Sequence, residues 1–250
     1  PSCMTHCGDL RVKYPFGTGP GCGSPQFSPY IACSQNGDRL LLNTHHGSYP
    51  IDSIFYSNST MIVAPSSMSN CRSMQRSSSY FGLEWGSPFQ LGPSTFILLA
   101  CSSYSVKGNP ICEPGSSNYL CDSIYACPSV VDLGLPLFPA TNTCCVYSPA
   151  DLGPRDELDL RELKCGGYSS VVGLGDVPSD PEQWVYGVAL KYATGGGLGG
   201  YNIPPSCSNC EMSGGACGYA PKDESFLCVC EYGNTSTDCY SYGWTVASPS

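Results

Sequence analysis

Charge is scarce in this chain. Only 12% of its 250 residues are Asp, Glu, Lys or Arg, too few for long helices braced by salt-bridged faces, and 29 Gly with 22 Pro punctuate the rest. Histidine is scarcer still, with His6, His45 and His46 the full complement. Neither a Gly-x-Ser-x-Gly elbow nor a His-Glu-x-x-His zinc helix occurs, which removes two common hydrolase signatures. The carboxylates show no spacing that singles out a catalytic pair. The glycine run from Gly195 to Gly200 lacks the lysine of a phosphate-binding loop. With a net charge of −9 and no basic stripe, a nucleic-acid partner is not expected. Long apolar runs are missing too: Phe96–Cys101 is strand length, and Val130–Phe138 is broken by Pro136. A membrane helix needs about 18 such residues, so membrane attachment would come only through a segment absent from this chain. The start at Pro1 reads as a trimmed mature segment, with any membrane-spanning part expected beyond Ser250.

What the chain has instead is cysteine. Its 18 residues are Cys3, Cys7, Cys22, Cys33, Cys71, Cys101, Cys112, Cys121, Cys127, Cys144, Cys145, Cys165, Cys207, Cys210, Cys217, Cys228, Cys230 and Cys239. They are spread along the length rather than bunched like metal ligands, and the even number allows nine disulfides with no thiol left over. Such density persists only in an oxidising compartment, which places the chain outside the cytosol, secreted or at the cell surface. Cys207-Ser-Asn-Cys210 matches a redox or zinc half-site superficially, but the crowd of neighbouring cysteines favours structural bridges. Connectivity cannot be read from spacing. No cofactor and no metal site is expected. Asn58-Ser59-Thr60 and Asn234-Thr235-Ser236 are glycosylation sequons in turn-like contexts, which fits an extracellular chain.

Hydrophobic patterning predicts a mainly β, disulfide-rich fold of short-strand modules with little helix. From Leu10 the chain alternates apolar and polar, with Leu10, Val12 and Tyr14 on one face and Arg11 and Lys13 on the other, until Pro15 ends the strand. Further strands are expected at Arg39–Asn43, Ile51–Tyr56 and Met61–Ala64, the last two forming a hairpin around residues 57–60, and at the buried run Phe96–Cys101. Ser102–Pro128 reads as a loop-rich, cysteine-dense stretch. Asp156–Leu163 fits neither period. Gln183–Tyr192 reads as one strand, and Thr194–Tyr201 as a flexible linker. Segments 1–105, 106–200 and 201–250 are the expected modules. The last is a small cysteine-rich, EGF-like element too short for an apolar core and dependent on its bridges.

Several motifs in this layout resemble a known family. Cys7-Gly8, Tyr14-Pro15-Phe16-Gly17, Gly21-Cys22-Gly23 and Phe27 before Cys33 resemble the opening of the galacturonan-binding module of plant wall-associated receptor kinases. Gly47-x-Tyr49 leading into Ile51–Val63, and Phe89–Cys101, are similar to the remainder of that module. Cys144-Cys145 and the Trp184 strand resemble the segment after it. Ser213-Gly214-Gly215-x-Cys217-Gly218 with Phe226-x-Cys228-x-Cys230 is similar to the cysteine-rich C-terminal module of the same kinases. The resemblance implies an extracellular, non-catalytic receptor region that binds pectin, a polymer of galacturonate, in cell-wall sensing or immune signalling.

A polyanionic ligand must meet a suitable charge. Up to residue 105 the chain holds five basic and four acidic residues, net +1, and the remainder holds six and sixteen, net −10. The galacturonan-like end is therefore the one not set against carboxylates. There, Arg11 and Lys13 on one strand face are candidate carboxylate contacts, with Arg72 and Arg76 near Cys71 as a second pair; solvated strand and loop positions are the plain alternative. Exposed ion pairs contribute up to about 1 kcal/mol each, so binding should be multivalent, modest and salt-sensitive. Tyr14 and Phe16 are expected to pack in the core. Calcium bridging through Asp156, Glu157 and Asp159 lacks the six to eight oxygens such a site needs. The competing class is a protein-interaction ectodomain, whose net −10 portion would suit a basic peptide, pathogen effector or co-receptor. A secreted enzyme or enzyme inhibitor is the third reading.

Overall fold

The computed structural model describes residues 3–77, 81–83, 86–102, 118–147, 163–192 and 203–240. Short antiparallel strands and disulfides dominate, as expected. Two compact units emerge: one comprises Pro1–Asn43, Pro50–Ile54 and Tyr192–Ser250, the other Thr44–Tyr49 and Phe55–Lys191. This grouping by contact differs from a division into consecutive sequence segments, because it unites the first 43 residues with the last 59.

The first unit opens with strands β1 (His6–Cys7) and β2 (Leu10–Arg11), paired antiparallel with His6 opposite Arg11 and Cys7 opposite Leu10. The strand expected from Leu10 onward is thus only two residues long. Val12 N–H still donates to Thr5 O at 2.8 Å, but Tyr14 N–H turns to a distant side chain and Pro15 has no N–H to offer a ladder. Strand β3 (Ile31–Cys33) pairs with β4 (Leu40–Thr44), one residue on from the predicted Arg39–Asn43. Ile31, Leu40 and Leu42 face inward, fully buried. Beside them Phe16, Phe27 and Tyr192 meet edge to face, with ring centroids 5.4, 4.7 and 6.1 Å apart, geometry that adds about 0.5–1.5 kcal/mol per pair beyond burial.

The backbone explains part of the motif around Phe16. Gly23 lies at φ +69°, and a Cβ there would come within 2.6 Å of the Phe16 carbonyl carbon and the Pro15 oxygen. Only glycine lets the Gly21-Cys22-Gly23 turn lie against Pro15-Phe16, where Ser24 N–H donates to Pro15 O at 2.8 Å.

The C-terminal part of this unit is a helix, Pro205–Met212, followed by a three-stranded antiparallel sheet of β13 (Ala216–Tyr219), β14 (Phe226–Cys230) and β15 (Gly233–Thr235). Its core is sulfur: Cys207, Cys210, Cys217, Cys228 and Cys230 cluster with partly buried Tyr14 and Phe226 packed on them. That matches the expected bridge-dependent module.

In the second unit an antiparallel sheet runs in the order β11 (Val185–Tyr186), β10 (Gly167–Gly173), β8 (Thr95–Leu99), β9 (Cys145–Tyr147). Phe96, Ile97, Leu98 and Leu99 are all fully buried, as a continuous apolar run predicts. Strand β12 (Val188–Tyr192) lies between β6 (Thr60–Val63) and β7 (Phe89–Leu91). Strand β5 spans Gly47–Phe55, longer than the predicted Ile51–Tyr56, and turn residues 56–59 join it to β6 as expected.

Within the loop-rich stretch Ser102–Pro128, Asn118–Tyr125 is a helix whose Leu120, Cys121, Ile124 and Tyr125 are buried on one stripe. One expectation is corrected: Gln183–Tyr192 is not one strand. Gly187, at φ +156° with the Ile62 side chain directly over its Cα, breaks it into β11 and β12, which join different sheets. The segment Asp156–Leu163, except its last residue, and the linker Thr194–Tyr201 lie outside the described residues. No helix among the described residues is long and apolar enough to cross a membrane.

Candidate functional site

Eight disulfides join described cysteines: Cys3–Cys22, Cys7–Cys33, Cys71–Cys127, Cys101–Cys165, Cys121–Cys144, Cys207–Cys217, Cys210–Cys228 and Cys230–Cys239. Cys145 is also disulfide-bonded, and Cys112 lies outside the described residues. Cys207 and Cys210 pair with different partners, so they form no redox or zinc half-site. Two groupings bring three potential metal donors close together, Cys228-Cys230-Cys239 and Cys207-Glu211-Cys217. Every cysteine in them is oxidised, which leaves no thiolate to coordinate a metal.

The predicted cations fall into two places. Arg11 and Lys13 belong to the first unit, Arg72 and Arg76 to the second. Arg72 is exposed on a turn where its N–H donates to Asn70 Oδ1 at 2.9 Å. The Arg76 guanidinium lies along backbone: a Cβ on Gly134 would sit 3.0 Å from its Nη2 and one on Gly166 3.6 Å from its Nη1. Arg76 therefore serves partly to cover glycine backbone.

Arg11 and Lys13 line a cleft with Tyr14, Phe16, Cys217 and Glu211. Two separate stretches of sequence make it. Gly23 N–H donates to Cys217 O at 2.7 Å and Tyr219 N–H to Gly21 O at 2.9 Å, so Cys22 and Gly218 form an antiparallel bridge. The helix Pro205–Met212 then points Glu211 at the turn after β2. Its Oε1 accepts from Tyr14 N–H at 2.9 Å, and its Oε2 lies 4.0 Å from Lys13 Nζ. The carboxylate is 19% exposed, the lysine side chain 38%. Sequence reasoning did not find Glu211; a separation of 197 residues leaves no local signal. The cleft holds only about 30 Å³, room for about two waters and far below the 300 Å³ or more of an enclosing ligand pocket. It can meet one carboxylate or hydroxyl group at its mouth but cannot swallow a sugar ring.

Tyr14 packs on the sulfur cluster as expected, and burial raises its phenol above the ordinary value, partly offset by a hydrogen bond with Ser24. Phe16 is in the core. Charge is also redistributed by the fold. Residues 3–43 carry three basic and two acidic groups, net +1, but residues 203–240 in the same unit carry one and five, net −4. Part of the acidic excess that sequence assigns to the far end of the chain, −4 of the −10, thus shares a unit with Arg11 and Lys13.

Residues 3–65 match the family model described as wall-associated receptor kinase galacturonan-binding, and residues 197–233 match wall-associated receptor kinase C-terminal. Two stretches of the chain thus carry module types of the wall-associated receptor kinase ectodomain. It is also similar to the wall-associated receptor kinase-like 20 of Arabidopsis thaliana, 28% identical over 204 residues, covering 77% of this chain and 29% of that protein. No solved structure matches. The two wall-associated-kinase modules are non-catalytic ectodomain types and imply an extracellular or cell-surface location. Arg11, Lys13 and the Tyr14-Pro15-Phe16-Gly17 motif lie in the first module, and Glu211 in the second. The cleft is built from both.

Proposed function

We propose that this chain is the ligand-binding extracellular region of a plasma-membrane receptor, and that it binds acidic pectin, as polygalacturonate or its oligomers, for cell-wall sensing or immune signalling. The observation that carries this reading is that residues 3–65 match a galacturonan-binding module within which Arg11 and Lys13 line one cleft. Arginine offers a planar fork to a carboxylate and lysine a point charge. A mouth of this size favours surface contact along a polymer over capture of a single ring, with each contact modest and the sum set by how many are made at once. Titrating the chain with unesterified oligogalacturonides at low and at moderate salt tests it. Binding that weakens with salt is expected; absence of binding at both would overturn it.

The second reading is recognition of a protein ligand or co-receptor. It is favoured by exposed apolar side chains in the second unit, where Phe138 is 78% and Leu137 55% exposed between Pro136 and Pro139. A ligand-dependent cross-link at this loop would support it. In either reading Asn58, in the exposed turn before β6, and Asn234, exposed on β15, are the proposed glycan sites, checked by the mass lost on glycosidase treatment.

A further inference from the structure

Lys13 is not simply presented to solvent. A carboxylate of the protein's own C-terminal module already stands beside it, and that carboxylate is held from both sides. Tyr14 N–H donates to Glu211 Oε1 at 2.9 Å, and the helix carrying Glu211 is tied to β13 and β14 by Cys207–Cys217 and Cys210–Cys228. The module itself is registered on residues 21–23 by the paired backbone bonds around Cys22 and Gly218. Glu211 is therefore preorganised and does not depend on chance rotation to reach Lys13.

We infer that the ligand site is composite and that Glu211 is its specificity-determining residue, acting as a built-in competitor for the carboxylate of a uronate. The inference rests on the pectin reading above. A free galacturonate carboxylate approaching Lys13 meets a compensated cation and a like charge 4.0 Å behind it, and like-charge juxtaposition is how a site discriminates against a partner it could otherwise bind. A methyl-esterified residue carries no charge and suffers no such repulsion. Glu211 thus lowers the preference of the site for fully de-esterified pectin and leaves contact with esterified stretches intact.

The test is a binding comparison with unesterified and fully methyl-esterified oligogalacturonides at low salt. Glu211→Gln keeps an oxygen acceptor for Tyr14 N–H and removes only the charge. Glu231→Gln, at an exposed position of the same module, makes the same change in net charge away from the cleft. Glu211→Gln should bind unesterified oligomers about two- to fivefold more tightly, the range of an exposed ion pair, with the esterified oligomers unchanged. Glu231→Gln should change neither, and the gain should vanish in the Lys13→Gln background. An equal gain from Glu231→Gln, or a gain that survives loss of Lys13, would overturn the inference. If the natural chain binds and Glu211→Gln binds no better, the inference alone fails and the pectin reading stands. If no variant binds any oligomer, both fail. Should Glu211→Gln not fold, Lys13→Gln alone decides. A loss under threefold for unesterified oligomers supports a compensated lysine, and threefold or more overturns it.

Discussion

The two compact units hold themselves together by different means. In the second, side chains from β8, β10 and the helix Asn118–Tyr125 build an apolar cluster in which Ile97, Leu99, Ile124, Val130 and Leu133 are fully buried, and disulfides span sequence separations of 56 and 64 residues. In the first, the bridges close separations of 9 to 26 residues. Among the described residues no disulfide links its N-terminal part to its C-terminal module. Those two parts meet through backbone hydrogen bonds at Cys22 and Gly218 and through Glu211. One unit is a conventional core with staples added. The other is a pair of stapled modules, and the cleft lies where its non-covalent contact is made.

That contrast can be broken first at the disulfides. In the chain-entropy account, closing a loop of 56 residues stabilises by about 4 kcal/mol and one of 9 residues by about 2.5 kcal/mol. Replacing Cys71 and Cys127 with alanine should therefore lower the denaturation midpoint of the second unit more than the same change at Cys230 and Cys239 lowers that of the first, as read by chemical unfolding followed with separate probes in each unit. Equal losses would mean the bridges act mainly through native contacts.

Next in size is a single hydroxyl. The Tyr125 OH accepts from Ala100 N–H at 2.9 Å and donates to Thr143 O at 2.9 Å, joining the helix Asn118–Tyr125 to the chain after β8. Tyr125→Phe keeps the ring but leaves Ala100 N–H without this acceptor, while Thr143 O keeps its bond from Cys101 N–H, at a cost of about 1–3 kcal/mol. The same burial holds several phenols of this unit neutral to high pH: Tyr125 and Tyr168 are raised by desolvation, and Tyr186 is raised to about 12, again chiefly by burial. A folded value above the ordinary 10.0 means the unfolded chain loses its protons first. Stability from these groups is therefore full below pH 10 and falls above it, through about pH 12 for Tyr186. Unfolding midpoints that stay flat past pH 10 would contradict this.

How much of this was legible in the sequence differs between the units for a physical reason. Phe96–Cys101 is apolar at consecutive positions, and a run of that length can only be a buried strand or part of a buried helix, so composition alone marks it as core. The helix Asn118–Tyr125 escaped because its stripe is two turns long and sits among loop-forming residues, so local pattern never outweighed the surroundings. Gln183–Tyr192 alternates well enough to read as one strand; it divides at Gly187, whose positive φ and lack of a Cβ suit a place where Ile62, 125 residues away in sequence, fills the space a side chain would need. The cations at 11 and 13 were visible because a strand pattern assigns faces. The group that controls one of them was not, since nothing near Lys13 announces a glutamate at 211, and a charge tally by sequence segment cannot tell which segments fold together.

The smallest effect sharpens the comparison at the level of binding. If the first unit carries the pectin contact, replacing Arg11 and Lys13 with glutamine should weaken binding of unesterified oligogalacturonides by about three- to tenfold and flatten its salt dependence, because two cations lining the cleft are removed at once, Lys13 contributing only what Glu211 leaves it. Replacing Arg72 and Arg76 should change affinity less than twofold. Arg76 lies against the backbone of Gly134 and Gly166, so its loss is expected to appear as a lower unfolding midpoint in the second unit. The opposite ranking, strong binding loss at Arg72 and Arg76 with none at Arg11 and Lys13, would move the ligand contact to the second unit. It would also make the cleft between Lys13 and Glu211 a structural joint alone.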